Sequence, residues 1–357
     1  MPHVDADELR RFAAQILLRA GLDPDDAHAV AEGLVYANLR GVDSHGVLRL
    51  MQYVKALQSA EITAHPDVRV IQQRGATALV DAGGGYGFRP TRLAIDIAGE
   101  LADAVGVGIV GVRNSHHFGM AATYVLRAAA SEKIGLLMTT TIPVLAPPGG
   151  AEPRVGNNPL AVAIPAPPPR PPIVLDMALS EVAFGKIRLA AAEGRPIPLG
   201  WAFDAAGRPT TDAVAALQAG LLAPVGQHKG YGLAVIAEVL AGVMTGSPFG
   251  LQSDAHGKAD GGVGHVAIVI DPFWLVSRER FYSGIERLVD EIKSVPLAEG
   301  AKAVYLPGEP EWETLQARQA AGIPISSELA DQLHALAERL HVSPLVGKHG
   351  NETAGRG

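Results

Sequence analysis

Between residues 89 and 270 the apolar side chains of this chain repeatedly change period, and that alternation confines it to an α/β architecture. Residues 89–104 carry helical spacing, 107–112 a short apolar run, 119–132 helical spacing again and 134–140 a second run. The runs at 160–164 and 173–176 flank a proline-rich stretch, 165–172, which reads as a hairpin with a stiff loop. Helical patterns follow at 180–192 and 229–245, then a strand at 263–270, with 196–225 an ordered excursion rich in glycine and proline. Upstream, 68–71 and 77–80 flank Arg74-Gly75 as a hairpin.

Both ends of the chain are helical by pattern. Leu9, Phe12, Ala13, Ile16 and Leu17 share one face of a first helix, with Asp5 or Asp7 as cap and Gly21 as stop. A second opens at Asp23-Pro24 and runs to about Arg40-Gly41, and a third is expected from His45 to Ser59. Three more are expected at 277–293, 311–321 and 326–340, before a polar, frayed end over 343–357. The expected plan is therefore α/β: a mixed central sheet domain over 76–299, and a helical domain built from 1–75 with 300–357.

Composition narrows the function classes. With 357 residues and 48% apolar content the chain buries a sizeable core, and its length favours two domains. A net charge of −7 without a dense Lys/Arg block argues against a nucleic-acid face. The chain has no cysteine, which removes disulfides, thiolate catalysis and Cys-ligated zinc. No apolar run reaches the roughly 20 residues of a membrane helix, and the first residues lack a signal pattern. The expectation is a cytoplasmic protein with no membrane and no nucleic-acid partner.

Three polar clusters carry the chemistry. Asp43-Ser44-His45-Gly46-Val47-Leu48-Arg49 offers a hydroxyl, an imidazole and a guanidinium, whose planar fork suits a carboxylate. Asn114-Ser115-His116-His117-Phe118-Gly119 follows a strand and precedes a helix; on extended chain its two rings point to opposite sides, so one faces a pocket. An imidazole titrates near neutrality and suits proton exchange. No His-x-x-x-His spacing points to a metal. His228-Lys229-Gly230-Tyr231-Gly232 opens a helix, where free N–H groups, the dipole and an ammonium suit a phosphate.

Two rival readings meet obstacles in the residues themselves. Ser44 and His45 as a hydrolytic pair would have to overcome the roughly 100° between adjacent helical side chains, and no Gly-x-Ser-x-Gly elbow occurs. The stretch Gly83-Gly84-Gly85-Tyr86-Gly87 has the layout of a dinucleotide-binding unit, but Phe88 stands where the third fingerprint glycine belongs. No acidic residue closes the second strand, which ends in Val112-Arg113, so a tight glycine turn is the expectation.

Taken together and in this order, the motifs resemble the type 2 malate/L-lactate dehydrogenase family. That family also holds ureidoglycolate and sulfolactate dehydrogenases, 2,3-diketogulonate reductase and reductases of the cyclic imines Δ1-piperideine-2-carboxylate and Δ1-pyrroline-2-carboxylate. The resemblance runs from Arg40-Gly41-Val42-Asp43-Ser44-His45-Gly46 to Gly322-Ile323-Pro324. Between them it includes Asn114–Gly119, Pro148-Gly149-Gly150-Ala151-Glu152, Gly156-Asn157-Asn158-Pro159, Asp176-Met177-Ala178, Gly185-Lys186, Pro209-Thr210-Thr211-Asp212 and His228–Gly232.

The resemblance implies a homodimer with a non-Rossmann NAD(P)-binding fold, using NAD or NADP and no metal. It implies His117 as proton donor and acceptor, with Ser44, His45 and Lys186 beside it. Arg49 and Thr141 match the substrate side. Gly149, Gly150, Asn157, Asn158, Asp176, Met177, Ala178, His228, Lys229 and Gly230 match the cofactor side. Some relatives carry an acidic residue after the strand that ends here at Thr140; Ile142 in this stretch favours a less polar substrate tail than ureidoglycolate. The implied reaction is hydride transfer between nicotinamide and C2 of a small 2-oxo or 2-hydroxy acid. The alternatives are reduction of a cyclic imine carboxylate and, in another class, a catalytically silent carboxylate-binding protein.

Overall fold

A computed structural model describes residues 3–254 and 262–346; residues 347–357 of the expected frayed end lie outside them. Seven strands form one mixed sheet in the order 69–74, 77–81, 107–115, 263–270, 134–139, 160–164 and 173–177. Strands 77–81 and 107–115 pair in parallel, and every other neighbouring pair is antiparallel. Both expected hairpins are present, and the first contains a register shift between Val70 and Gln72.

The parallel pair is joined by the helix Phe88–Val105, so strand, glycine turn, helix and strand follow one another as the sequence suggested. Gly83 and Gly84 turn the chain at φ +63° and +74°, values that only glycine adopts without strain. The helix lays Ala94, Ile95, Ala98 and Ala102 on the sheet. It comes so close that a Cβ on Gly108 would stand 2.1 Å from the Ala98 carbonyl oxygen.

The strand Val263–Ile270, far along the chain, inserts between 107–115 and 134–139 at the centre of the sheet. Its near-continuous apolar run is what burial on both faces requires. His265 interrupts that run and is fully buried.

A second core brings the two chain ends together. Leu9, Phe12, Ile16, Leu17, Leu34, Leu50 and Val54 pack with Leu315, Ile323, Leu333 and Leu336. The first helix, Ala6–Arg19, is capped by the Asp5 carboxylate, and the second, Pro24–Leu39, by that of Asp23. His3–Val4 pairs with Ile323–Pro324 in a two-stranded ladder that no periodicity announced. A third core, around Leu145, Leu179, Ile187, Leu222 and Ala234, lies under the 196–225 excursion.

Four helix boundaries differ from expectation, one of them the helix expected at 180–192, which begins at Phe184. The third N-terminal helix is Leu50–Gln58, and residues 43–49 form two 3₁₀ turns ahead of it. The helix after Gly119 starts only at Ala122, because Gly119 is left-handed at φ +80°. The helix at 229–245 is α-helical over His228–Ala237 and continues as a π turn over Glu238–Val243.

Candidate active site

His117 stands on the irregular turn between strand 107–115 and helix Ala122–Ala130. Its Nδ1 lies 2.5 Å from the Tyr53 hydroxyl and accepts the Gly119 N–H at 3.2 Å. The backbone donor aimed at Nδ1 favours hydrogen on Nε2 in the resting ring, and no protein group bonds Nε2 among the described residues. Tyr53 stays protonated, because burial raises its pKa. Its hydroxyl can donate to Nδ1 or accept from Nδ1–H, so the ring has a partner in either tautomer.

The first polar cluster meets this ring. The His45 imidazole stacks on that of His117, with centroids 5.6 Å apart and planes 18° off parallel. Arg49 folds back so that Nε donates to the Ser44 carbonyl at 2.8 Å, while one terminal nitrogen donates to Gln52 at 2.9 Å. Ser44 Oγ lies 3.0 Å from His45 Nδ1. That contact corrects the sequence argument from helical spacing, which held the two side chains apart; the 3₁₀ turn at 43–45 brings them together. No acidic side chain bonds His45 among the described residues, so the pair lacks the third member that orients a hydrolytic base.

The turn bearing Ser44 and His45 is fixed from outside. The Arg318 guanidinium grips both Asp43 carboxylate oxygens at 2.7 and 3.0 Å. The Asn38 amide donates to Asp43 at 2.6 Å and accepts the Val47 N–H at 2.8 Å. A helix from the C-terminal end thus helps shape the N-terminal cluster.

Electrostatics keep the imidazoles neutral. Loss of solvation, then the charges on His45, Arg49 and His265, lowers the pKa of His117 to about 3. Loss of solvation and Arg49 lower that of His45 to about 4. A neutral His117 is unprotonated at pH 7 and so free to accept a proton, although burial makes it a weaker base than an exposed imidazole. In the oxidative direction kcat/KM is therefore expected to stay level from pH 8 down to about 5 and to fall only below that. A pH profile with an ordinary histidine limb near 6.5 would contradict this geometry.

The cofactor-side residues form a second constellation. Asn158 is fully buried: Oδ1 accepts the Thr141 N–H at 2.9 Å, and Nδ2 donates to the Ala234 carbonyl at 3.0 Å and to Glu238. Its amide is occupied by protein groups and clips the strand end at Thr141 to the helix His228–Ala237. Asn158→Ala is expected to destabilise the fold by about 2–3 kcal/mol, read as a lower urea midpoint at unchanged m. Asn157 accepts the Thr141 hydroxyl at 2.9 Å.

Asp176 accepts the Ala122 N–H at 2.7 Å, at the start of the helix that follows His117. Loss of solvation at the carboxyl, opposed by the Ala122 N–H, shifts its pKa upward, a shift limited by the exposure of the residue as a whole. Met177 and Ala178 follow, half-buried. Gly149 is left-handed at φ +85° and exposed, with nothing within 4 Å of a Cβ there, and the Gly150 N–H closes a turn on Pro147 at 2.8 Å.

The helix N-terminus at His228 differs from expectation in one respect. The Gly230 N–H is already bonded to the Val225 carbonyl at 2.9 Å, and a Cβ on Gly230 would lie 2.2 Å from that oxygen. The exposed Lys229 ammonium, rather than a nest of free amides, is the group left to meet a phosphate. An exposed cation beside a helix start, the open Gly149 turn and the acceptors near residues 157 and 176 are groups of the kind that could hold a dinucleotide. Lys186 is exposed on the helix Phe184–Ala192, and no contact joins it to the His117 cluster among the described residues.

Tyr53 went unmarked in the sequence, although it lies four residues after Arg49 and eight after His45, a helical spacing that would have flagged it. His265 also went unmarked; its signal was a lone imidazole inside an apolar strand run.

Comparison with known proteins shows what the chain as a whole is similar to. A sequence profile of the malate/L-lactate dehydrogenase family matches residues 4–334. The chain is 36% identical to malate dehydrogenase of Pyrococcus horikoshii over 96% of each chain. The solved structure of that enzyme superposes with a TM-score of 0.87 at 34% identity, covering 96% of this chain and 97% of the other. The chain is 33% identical to the ureidoglycolate dehydrogenase (NAD(+)) of Escherichia coli O157:H7, over 92% of this chain and 94% of the relative. It is also 33% identical to the (2R)-3-sulfolactate dehydrogenase (NADP(+)) of Chromohalobacter salexigens, over 92% and 96%.

Proposed function

The chain belongs to the malate/L-lactate dehydrogenase family, and on that premise we propose that it interconverts a small 2-hydroxy acid and its 2-oxo acid at the His45–His117–Arg49 cluster. It is an NAD(P)-dependent dehydrogenase. The observation that carries the reading is a neutral, Tyr53-held His117 stacked on His45, with the Arg49 charge near enough to act on both rings. When bound, the dinucleotide supplies or takes up the hydride at C2.

The chain's own residues do the rest. Arg49 clamps the substrate carboxylate, and Ser44 and His45 orient it. During oxidation His117 takes the hydroxyl proton on Nε2 from the tautomer that carries its own hydrogen on Nδ1, where the Tyr53 hydroxyl accepts it and holds that side of the ring as it becomes cationic. In reduction the arriving carboxylate offsets the Arg49 charge that depresses His117, so the ring can carry the proton it gives to the developing alkoxide. Lys229 and the turns at Gly149-Gly150, Asn157 and Asp176–Ala178 hold the dinucleotide. The exposed Ile142 beside Thr141 favours a less polar substrate tail than that of ureidoglycolate.

The test is oxidation of NADH and NADPH with pyruvate, oxaloacetate, sulfopyruvate, diketogulonate and Δ1-piperideine-2-carboxylate as acceptors. Turnover of a keto acid supports the proposal. Turnover of the cyclic imine alone replaces it with imine reduction, and dinucleotide binding without any turnover favours the silent carboxylate binder.

The same reading includes a homodimer in the cytoplasm, a compartment in which a cysteine-free chain loses nothing. Leu233, Ile236, Val239, Val243 and Met244 are exposed along one side of the His228–Val243 helical segment, an apolar stripe that a second copy would cover. Light scattering is expected to give twice the monomer mass; a monomer at micromolar concentration would remove this part of the reading. No helix among the described residues is long and apolar enough to cross a membrane.

A further inference from the structure

A buried imidazole in the middle of a sheet calls for a reason. His265 is fully buried on the central strand, where a valine or leucine would serve packing as well. Both ring nitrogens are engaged: Nδ1 lies 2.7 Å from the Thr139 hydroxyl and Nε2 lies 2.8 Å from the Ser115 hydroxyl. A hydroxyl on each side can take whichever role the ring leaves open, so the neutral imidazole is satisfied in either tautomer. The three residues sit on three adjacent strands, with His265 between Ser115 and Thr139.

Each hydroxyl stands at the end of its strand, next to the proposed site. Two residues past Ser115 is His117. The Phe118 ring packs on the His265 ring with centroids 4.7 Å apart, and the Phe118 carbonyl is held by the Tyr124 hydroxyl. A Cβ on Gly87 would press at once on the His116 carbonyl (2.6 Å), Phe118 Cβ (2.7 Å) and His265 Nε2 (2.9 Å), so the turn, the ring and its neighbour form one close-packed unit. On the other side, Thr139 leads through Thr140 to Thr141, whose amide and hydroxyl are held by Asn158 and Asn157.

We propose that His265 is a positioning residue: by tying Ser115 to Thr139 it sets where the His117 ring stands relative to the Thr141–Asn158 side of the site. It touches neither substrate nor dinucleotide and acts only through the turn at 115–118. The inference rests on His117 being the proton-transfer group of the proposed reaction.

Ser115→Ala removes one hydrogen bond and leaves the ring in place. Val269→Ala truncates another fully buried side chain on the same strand and serves as the purely structural control. Because a displacement of about 1 Å can cost about 100-fold in rate, His265→Phe is expected to lower kcat about 100-fold and Ser115→Ala about 10-fold. KM for the acid and Kd for the dinucleotide should stay within about twofold in both. His265→Gln, whose amide can still reach a hydroxyl, should recover part of the loss. Val269→Ala should lower the melting temperature with kcat unchanged. Wild-type kcat in folded Ser115→Ala and His265→Phe overturns the proposal. So does a kcat loss in Val269→Ala that matches theirs at equal loss of stability.

A second readout does not depend on turnover. In protein labelled with ¹⁵N-histidine, the His117 ring signals should report Nδ1 as the mainly unprotonated nitrogen of the resting ring, and they should shift or split in Ser115→Ala. Unchanged His117 signals in that variant overturn the positioning role. If the wild type turns over none of the acids yet the signals move, the positioning role stands and the reaction assignment falls.

Discussion

Replacing His117 by alanine is expected to lower kcat by about 10²- to 10⁴-fold for both oxidation of the hydroxy acid and reduction of the keto acid. Dinucleotide affinity, followed by nicotinamide fluorescence, should hardly change, because no cofactor-side residue bonds the ring among the described residues. The loss follows from geometry: Nδ1 is occupied by Tyr53 and Gly119, and Nε2 is the free nitrogen left to exchange a proton. The pair Ser44–His45 is not expected to take over, because no acidic side chain bonds His45 among the described residues to orient it as a base. Near-normal turnover in this variant would remove His117 from the reaction. Loss of imine reduction to the same degree as ketone reduction would be unexpected too, since an imine can bring its own proton.

Arg49→Ala is expected to raise KM for the acid about 10- to 100-fold, the worth of a charge-assisted pair lost from a partly desolvated pocket. It should have a second signature. Arg49 is among the charges that depress both His117 and His45, so its removal lifts both pKa values toward the ordinary histidine range. The acid limb of the oxidation profile should move to higher pH by an amount that a plain loss of binding would not produce. An unchanged KM would exclude the clamp. A raised KM with an unmoved pH profile would keep the clamp and discard Arg49 as the group that tunes the imidazole.

The parts of the site that were legible in the sequence are those whose chemistry lies in short segments. His45 and Arg49 are four residues apart, and His117 sits at a strand-to-helix joint, so local geometry already placed each at an accessible corner. Asn158 was legible as a residue of interest but not in its role: only the packed structure shows that its amide is used up between Thr141, Ala234 and Glu238. Gly230 is similar, since its small size serves close approach to the Val225 carbonyl. The misplaced helix start at His45 has a local cause. Gly46 sits so close to the Asn38 amide that a Cβ would lie 2.3 Å from it, and this contact holds residues 43–49 in two tight turns rather than one helix.

Apolar periodicity, caps and glycine turns determined by themselves that the chain is α/β with helical ends. They did so because each depends only on neighbours a few residues away. Tertiary structure alone decided that Val263–Ile270 lies at the sheet centre, that Arg318 secures the turn of Asp43, and that Ser115, His265 and Thr139 meet. Those contacts span 126 and 150 residues of chain for the histidine and 275 for the arginine. Long-range pairing of this kind is set by which surfaces bury best against one another, a property of the whole fold that no local pattern encodes.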